Sequence, residues 1–371
     1  MLFDADAHEP LLERAWDPEA IRVAIAEMAA EAEAAFDDGW AAHPLDEPEP
    51  RRFRTVYLGG AGVIRALHEL ERRGLIELRR DYVSYLDREY MPDFPEHDHA
   101  RSLLMGESGI RLELERISPS EANRVRLAEL IHENRENPSR ELMWGSPGTM
   151  LAGTELGLDD LWRESADWLE SEWDPEIGAW VHDLYGQRVP YLGPAHGFAG
   201  CMLALAPGDV HDRVAATTRR YAVEEDGLAN WPPVAGSDLP TRRDGGIRVQ
   251  WCHGAPGMVA SLAGFALDDP EHDRLMRAGG ELTWQVGPLT KGAGLCHGTA
   301  GNGYAFLALL ERTGDELWLE RARAFAMHAA AQVAKDRAAY GRGRFTLWTG
   351  DPGAALYLAD CVAGHGSVPL P

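Results

Sequence analysis

The sequence predicts an all-α fold, an α/α toroid in which seven inner and seven outer helices form a double ring. Three observations carry that prediction. A glycine pair three residues apart recurs seven times along the 371 residues; a small, apolar segment of helical character follows each pair; charged amphipathic stretches lie between the copies. The first glycines are separated by 47, 39, 52, 57, 44 and 52 residues. Recurrence on this scale marks supersecondary units that cannot bury their apolar faces alone and stack on their neighbours.

The copies are Gly59-Gly60-Ala61-Gly62, Gly106-Glu107-Ser108-Gly109, Gly145-Ser146-Pro147-Gly148, Gly197-Phe198-Ala199-Gly200, Gly254-Ala255-Pro256-Gly257, Gly298-Thr299-Ala300-Gly301 and Gly350-Asp351-Pro352-Gly353. The runs after them, such as Val63 to Leu70 and Asn302 to Leu310, suit helices buried on most sides. Outer helices are expected over Ser120 to Asn134, Asp209 to Glu225 and Asp315 to Lys335. In the last, Trp318, Ala322, Phe325, Ala326 and Ala329 share one face, while Glu316, Glu320 and Arg323 share the other. The glycines themselves are expected to serve turns at positive φ and close helix contacts. Strand-like alternation is scarce, and prolines such as Pro92, Pro95, Pro207 and Pro232 fall at segment boundaries. An open solenoid would want polar end repeats, and the terminal copies here are as apolar as the central ones, so the ring is expected to close as one domain over 1–371.

A net charge of −24 argues against nucleic acid or an anionic membrane surface as partner. No apolar run is long enough to span a bilayer. The N-terminus, Met1 to Asp6, lacks the basic and apolar regions of a signal peptide. Four cysteines are too few for a disulfide scaffold, so a reducing cytoplasm is expected.

Chemistry concentrates just before the glycines. Gln250-Trp251-Cys252-His253-Gly254 and Gly294-Leu295-Cys296-His297-Gly298 each place a Cys-His pair before the turn. In a ring, equivalent repeat positions face a common rim, so two thiols and an imidazole converge from 44 residues apart. Thiolates and imidazole are the donors zinc prefers, and a catalytic zinc keeps three protein ligands with a fourth place open. Spacing alone leaves His253 and His297 equivalent. Cys201 and Cys361 sit inside apolar runs and read as small core hydrophobes. His196 stands one residue before Gly197, placed to transfer protons. Glu141, Arg248 and Lys291 lie four or five residues before a repeat glycine or cysteine, where a cation could stabilise an anionic substrate or an enolate.

The strings Trp251 to Gly257, Leu295 to Asn302, Trp144 to Thr149 and Ala195 to Gly200 resemble signature motifs of the lanthionine synthetase C-like proteins, and the resemblance covers essentially the whole chain. It implies a Zn2+ ion held by Cys252, Cys296 and His297, with His253 a non-ligand beside the substrate. It implies addition of a thiol, from glutathione or a peptide cysteine, to dehydroalanine or dehydrobutyrine in a dehydrated or phosphorylated peptide, forming a thioether. His196 becomes the general acid, Arg248 its electrostatic helper, Glu141 a catalytic carboxylate, Lys291 a contact for the thiol substrate, and Arg342 an assisting arginine before the seventh turn. Peptide cyclases of the family usually carry tyrosine where this chain has His253 and aspartate where it has Glu141. Both departures point to the stand-alone, glutathione-handling branch. Two other functions remain open: a non-catalytic zinc scaffold that binds glutathione or modified peptides, and a toroidal glycosidase using carboxylates such as Glu107 and Glu141.

Overall fold

Each glycine pair is the point where a loop folds back beneath the start of a helix. The computed structural model describes residues 1–94, 100–236 and 246–371; Pro95, expected at a boundary, lies outside them. The first turn of an α-helix leaves N–H groups without intrahelical partners, and here carbonyls seven residues upstream accept from them. Gly60 and Ala61 donate to Phe53 and Arg54, Phe198 and Ala199 to Tyr191 and Leu192, and Thr299 and Ala300 to Gly292 and Ala293. With the loop held that close, a Cβ at the second glycine would collide with the carbonyl oxygen six residues earlier. The clash recurs in every copy, from Val56 under Gly62 to Leu347 under Gly353. Close approach is therefore the general reason for these glycines. Of the seven first glycines only Gly254 has a positive φ, at 110°, which corrects the expectation that the turns need left-handed backbone.

The seven helices that start there are α2 (Gly60–Arg72), α4 (Glu107–Ile117), α6 (Ser146–Glu155), α8 (Phe198–Leu205), α10 (Ala255–Leu262), α12 (Thr299–Thr313) and α14 (Asp351–Ala363). Each packs on the next, and α14 packs on α2, closing the inner ring. The outer ring comprises α1 (Pro18–Ala34), α3 (Val83–Leu86), α5 (Glu121–Asn134), α7 (Asp159–Ser171), α9 (His211–Tyr221), α11 (Pro270–Val286) and α13 (Glu316–Tyr340). Each outer helix carries the chain back, so the inner seven run in one direction. Outer helices α1, α5, α11 and α13 take side-chain caps from Asp17, Ser120, Asp269 and Asp315, whereas the inner ones start on glycine.

The predicted α/α toroid is the observed fold. Its outer ring is uneven: α3 has 4 residues and α13 has 25. In α13 the expected apolar face is buried, and Glu316 and Glu320 are exposed. The Asp209 to Glu225 stretch is helical only to Tyr221; Val223–Glu225 (β5) pairs with Leu228–Asn230 (β6) as a hairpin. Two more hairpins, Trp173–Asp174 (β1) with Ala179–Trp180 (β2) and His182–Leu184 (β3) with Gln187–Val189 (β4), precede the fourth turn in the chain. These short strands escape sequence prediction because two or three residues show no alternation. Cys201 and Cys361 are buried core residues, as expected. Among the described residues no helix is long and apolar enough to cross a membrane.

Candidate metal centre

The residue two positions before the first glycine places the site. There, backbone hydrogen bonds link successive turns: Cys252 N–H donates to Cys296 C=O at 3.0 Å, Cys296 to Trp348 at 2.8 Å, Trp348 to Tyr57 at 3.4 Å and Tyr57 to Leu104 at 2.9 Å. This chain of bonds passes from the seventh turn to the first, so it both closes the ring and lays the cysteines of neighbouring repeats side by side. One position later, the seven turns present Leu58, Met105, Trp144, His196, His253, His297 and Thr349 to the same rim.

Among the described residues, one group of side chains is arranged to hold a metal ion: Cys252, Cys296 and His297, with all ligand atoms within 4.8 Å of one another. Both sulfurs are buried and the imidazole is half-buried. Gln250 Nε2 donates to Cys252 Sγ at 2.9 Å. The two sulfurs lie within hydrogen-bonding reach of each other. The hydrogen bond from Cys296 holds the Cys252 thiol well below its usual value against the effect of burial, helped by His297 and His253. Cys296 is pushed up by that same hydrogen bond and by burial. Two soft sulfurs and one imidazole, their ligand atoms within 4.8 Å of one another, fit tetrahedral zinc with one place left over.

His253 goes elsewhere. Gln250 and His253 exchange backbone hydrogen bonds, both at 3.1 Å, around a turn that ends on the positive-φ Gly254. The His253 ring then faces Tyr191 and His196, with centroids 5.9 and 6.1 Å away. Burial pushes its pKa down to about 4, and its Nδ1 is buried without a hydrogen-bond partner.

His196 is held by Glu141. The carboxylate is fully buried and accepts from His196 Nδ1 at 2.8 Å, from Met143 N–H at 3.0 Å and from Trp144 N–H at 2.6 Å. Burial pulls the imidazole pKa down, but the hydrogen bond and charge of Glu141, with Cys252 adding, leave it raised overall. Nδ1 therefore carries the proton shared with Glu141, and Nε2 is the nitrogen free for chemistry. With its oxygens so committed, Glu141 positions His196. The paired-carboxylate arrangement loses its other member too, because Glu107 is bound by Arg111 and Arg126.

Arg248 and Lys291 line one small cavity with Asp4, His8 and Gln250, and the Lys291 charge acts on Cys296. Arg342 donates to the Ala41 carbonyl at 2.6 Å and lies over Phe345. Two residues on, Arg344 pairs with Asp46, which also accepts from Thr349 Oγ1 at 2.7 Å, and Thr349 is the rim residue of the seventh turn. A much larger cavity, about 1200 Å3, lies toward the opposite ends of α2, α4 and α14, among arginines paired with Glu69, Glu113 and Asp360. It is large, but the sulfurs are at the other end. Sequence reasoning missed Tyr57, Asp46 and Tyr185. Tyr57, whose hydroxyl hydrogen-bonds Cys296, occupies the same repeat position as the two cysteines; that register was the available signal.

The sequence profile described as Lanthionine synthetase C-like protein matches residues 54–368. The chain belongs to the lanthionine synthetase C-like family. It is 36% identical over 188 residues to "Glutathione S-transferase LANCL1" of Danio rerio, a match spanning 46% of this chain and 42% of the relative. It is also 36% identical over 165 residues to "LanC-like protein GCL1" of Arabidopsis thaliana, spanning 42% of this chain and 36% of that one. The chain thus spans less than half the length of the curated relatives it matches. A solved structure titled "Nisin cyclase" superposes with a TM-score of 0.57 at 18% identity, covering 94% of this chain and 99% of that one. This likeness supports the toroid. The family follows from the sequence and the ring from the structure.

Proposed function

We propose that this lanthionine synthetase C-like protein is a zinc-dependent enzyme that adds a thiol, from glutathione or a peptide cysteine, to a dehydroalanine or dehydrobutyrine residue of a dehydrated peptide. The supporting observation is the convergence, on one rim, of a Cys252-Cys296-His297 ligand group with a hydrogen-bonded His196–Glu141 pair. Zinc bound by those three residues would lower the pKa of an incoming thiol and keep its sulfur a usable thiolate.

The protein's own groups account for the rest. As sulfur bonds to the β-carbon, the electron pair of the carbon–carbon double bond moves onto the α-carbon and its carbonyl as an enolate. Arg248 supplies positive charge for that enolate. His196, whose protonated form Glu141 favours, delivers the proton to the α-carbon from Nε2. Lys291, in the cavity it shares with Arg248, suits a carboxylate of the thiol substrate, and the neutral His253 fills space beside His196 without competing for the proton. Arg342 acts through the N-terminal segment that it ties down.

The test is incubation of the zinc-loaded protein with a dehydroalanine peptide and glutathione, followed by mass spectrometry. Thioether product that disappears in His196→Asn, with zinc content retained, supports the enzyme. No product from fully zinc-loaded wild-type protein refutes it in favour of a binding protein.

A further inference from the structure

The β3–β4 hairpin holds an aromatic residue over His196 at a conformational cost. Its two-residue turn, Tyr185-Gly186, has φ of 54° and 72°. Turns with both residues at positive φ take Asn, Asp or Gly at the first place, and a bulky residue there is an outlier. The β5–β6 hairpin of the same chain makes its turn from Asp226-Gly227, at 51° and 80°. Tyrosine is thus not chosen for the turn, and at 62% exposed it is not chosen for the core. Strain of this kind persists where a function maintains it.

What Tyr185 touches is the site. Its hydroxyl accepts from Trp144 Nε1 at 3.3 Å, and its ring meets the His196 imidazole edge-on, with centroids 5.9 Å apart at 79°. The hairpin base is firm: buried His182 Nδ1 bonds the Ser139 carbonyl at 3.0 Å, and Asp183 N–H donates to Pro138 C=O at 3.0 Å. A fixed arm therefore lays one aromatic edge on the proton-delivering residue and leaves the rest of the ring open to solvent.

We propose that Tyr185 is the acceptor-side positioning residue: an extended peptide carrying a dehydroamino acid lies on its open ring, which aligns the flat conjugated unit with His196 and shields the imidazole from water. A planar acyl unit suits an aromatic face better than a flexible saturated chain does. The acceptor part of this inference rests on the thioether-forming reading; the cover over His196 does not.

The experiment uses the full chain loaded with zinc, as wild type, Tyr185→Asn and Tyr185→Phe. Asparagine suits the turn, so the melting temperature of Tyr185→Asn is expected to hold or rise. Its KM for the dehydroalanine peptide is expected to rise about tenfold while its KM for glutathione is unchanged, and Tyr185→Phe stays close to wild type. An unchanged peptide KM, or an equal rise in both, overturns the proposal. Independently of turnover, diethylpyrocarbonate labelling mapped by mass spectrometry should modify His196 several-fold faster in Tyr185→Asn. Equal labelling rates overturn the cover. If the wild type makes no thioether, the acceptor role falls with the enzymatic reading, and labelling still decides whether Tyr185 shields His196.

Discussion

Replacing Glu141 with glutamine changes one atom in a side chain that is fully buried and receives three hydrogen bonds. Volume is conserved, so the expected effect is electrostatic. The carboxylate loses its charge, and either Trp144 N–H alone or His196 and Met143 N–H together must face an amide nitrogen that cannot accept. A hydrogen bond involving a charged group contributes about 1.5–3 kcal/mol. If that energy acts on protonated His196 in the transition state, turnover falls about tenfold to a hundredfold. The pH dependence has a definite sign. Glu141 is what raises the His196 pKa against burial, so its removal should lower that pKa and move the alkaline limb of the rate profile to lower pH. The same pair contributes stability that is fully present below the unfolded histidine value near 6.5 and is lost as pH rises through the raised folded value. Glu141→Gln should therefore destabilise more at pH 6 than at pH 9. Rate profiles, an NMR titration of His196 and urea unfolding at both pH values measure each part. An unmoved alkaline limb together with a pH-independent stability loss would refute the assignment of His196 as the cation that Glu141 supports.

Three further outcomes test other parts of the structure. Wild-type protein should retain zinc through dialysis, and Cys296→Ala should lose it with little change in helix content; full retention by the variant would exclude Cys296 as a ligand. Gly301→Ala would drive a Cβ into the Leu295 carbonyl, whereas Gly264→Ala meets nothing within 4 Å. Denaturant unfolding should show a loss of about 1–3 kcal/mol or more for the first and almost none for the second, and equal effects would contradict the close-approach explanation. Asn230 is fully buried; its amide donates to Leu2 C=O at 2.8 Å, and its oxygen accepts from Trp231 and Ala255 N–H at 2.9 and 2.8 Å, capping α10 from a distant strand. Asn230→Ala should cost about 2–3 kcal/mol, read by thermal or denaturant unfolding; a loss under 1 kcal/mol would mean that water replaces the side chain freely.

The sequence by itself determined the ring and the two cysteines that meet on its rim. Both depend on repetition. A glycine pair appears wherever a loop wraps under a helix start, and a cysteine at the same place in consecutive units must reach the same rim. Register was enough to bring Cys252 to Cys296, and the same register would have found Tyr57. Spacing left His253 and His297 equivalent and the family resemblance chose His297; the tertiary structure supplied the physical reason, which lies in the backbone: the fifth turn ends on a glycine at φ 110° and the sixth on one at φ −133°. It also supplied Glu141 as the partner of His196, Asp46 behind Thr349, and Tyr185 over the imidazole. Those contacts join residues from different repeats or from short hairpins, where no periodic pattern exists, and packing alone decides which side chains meet.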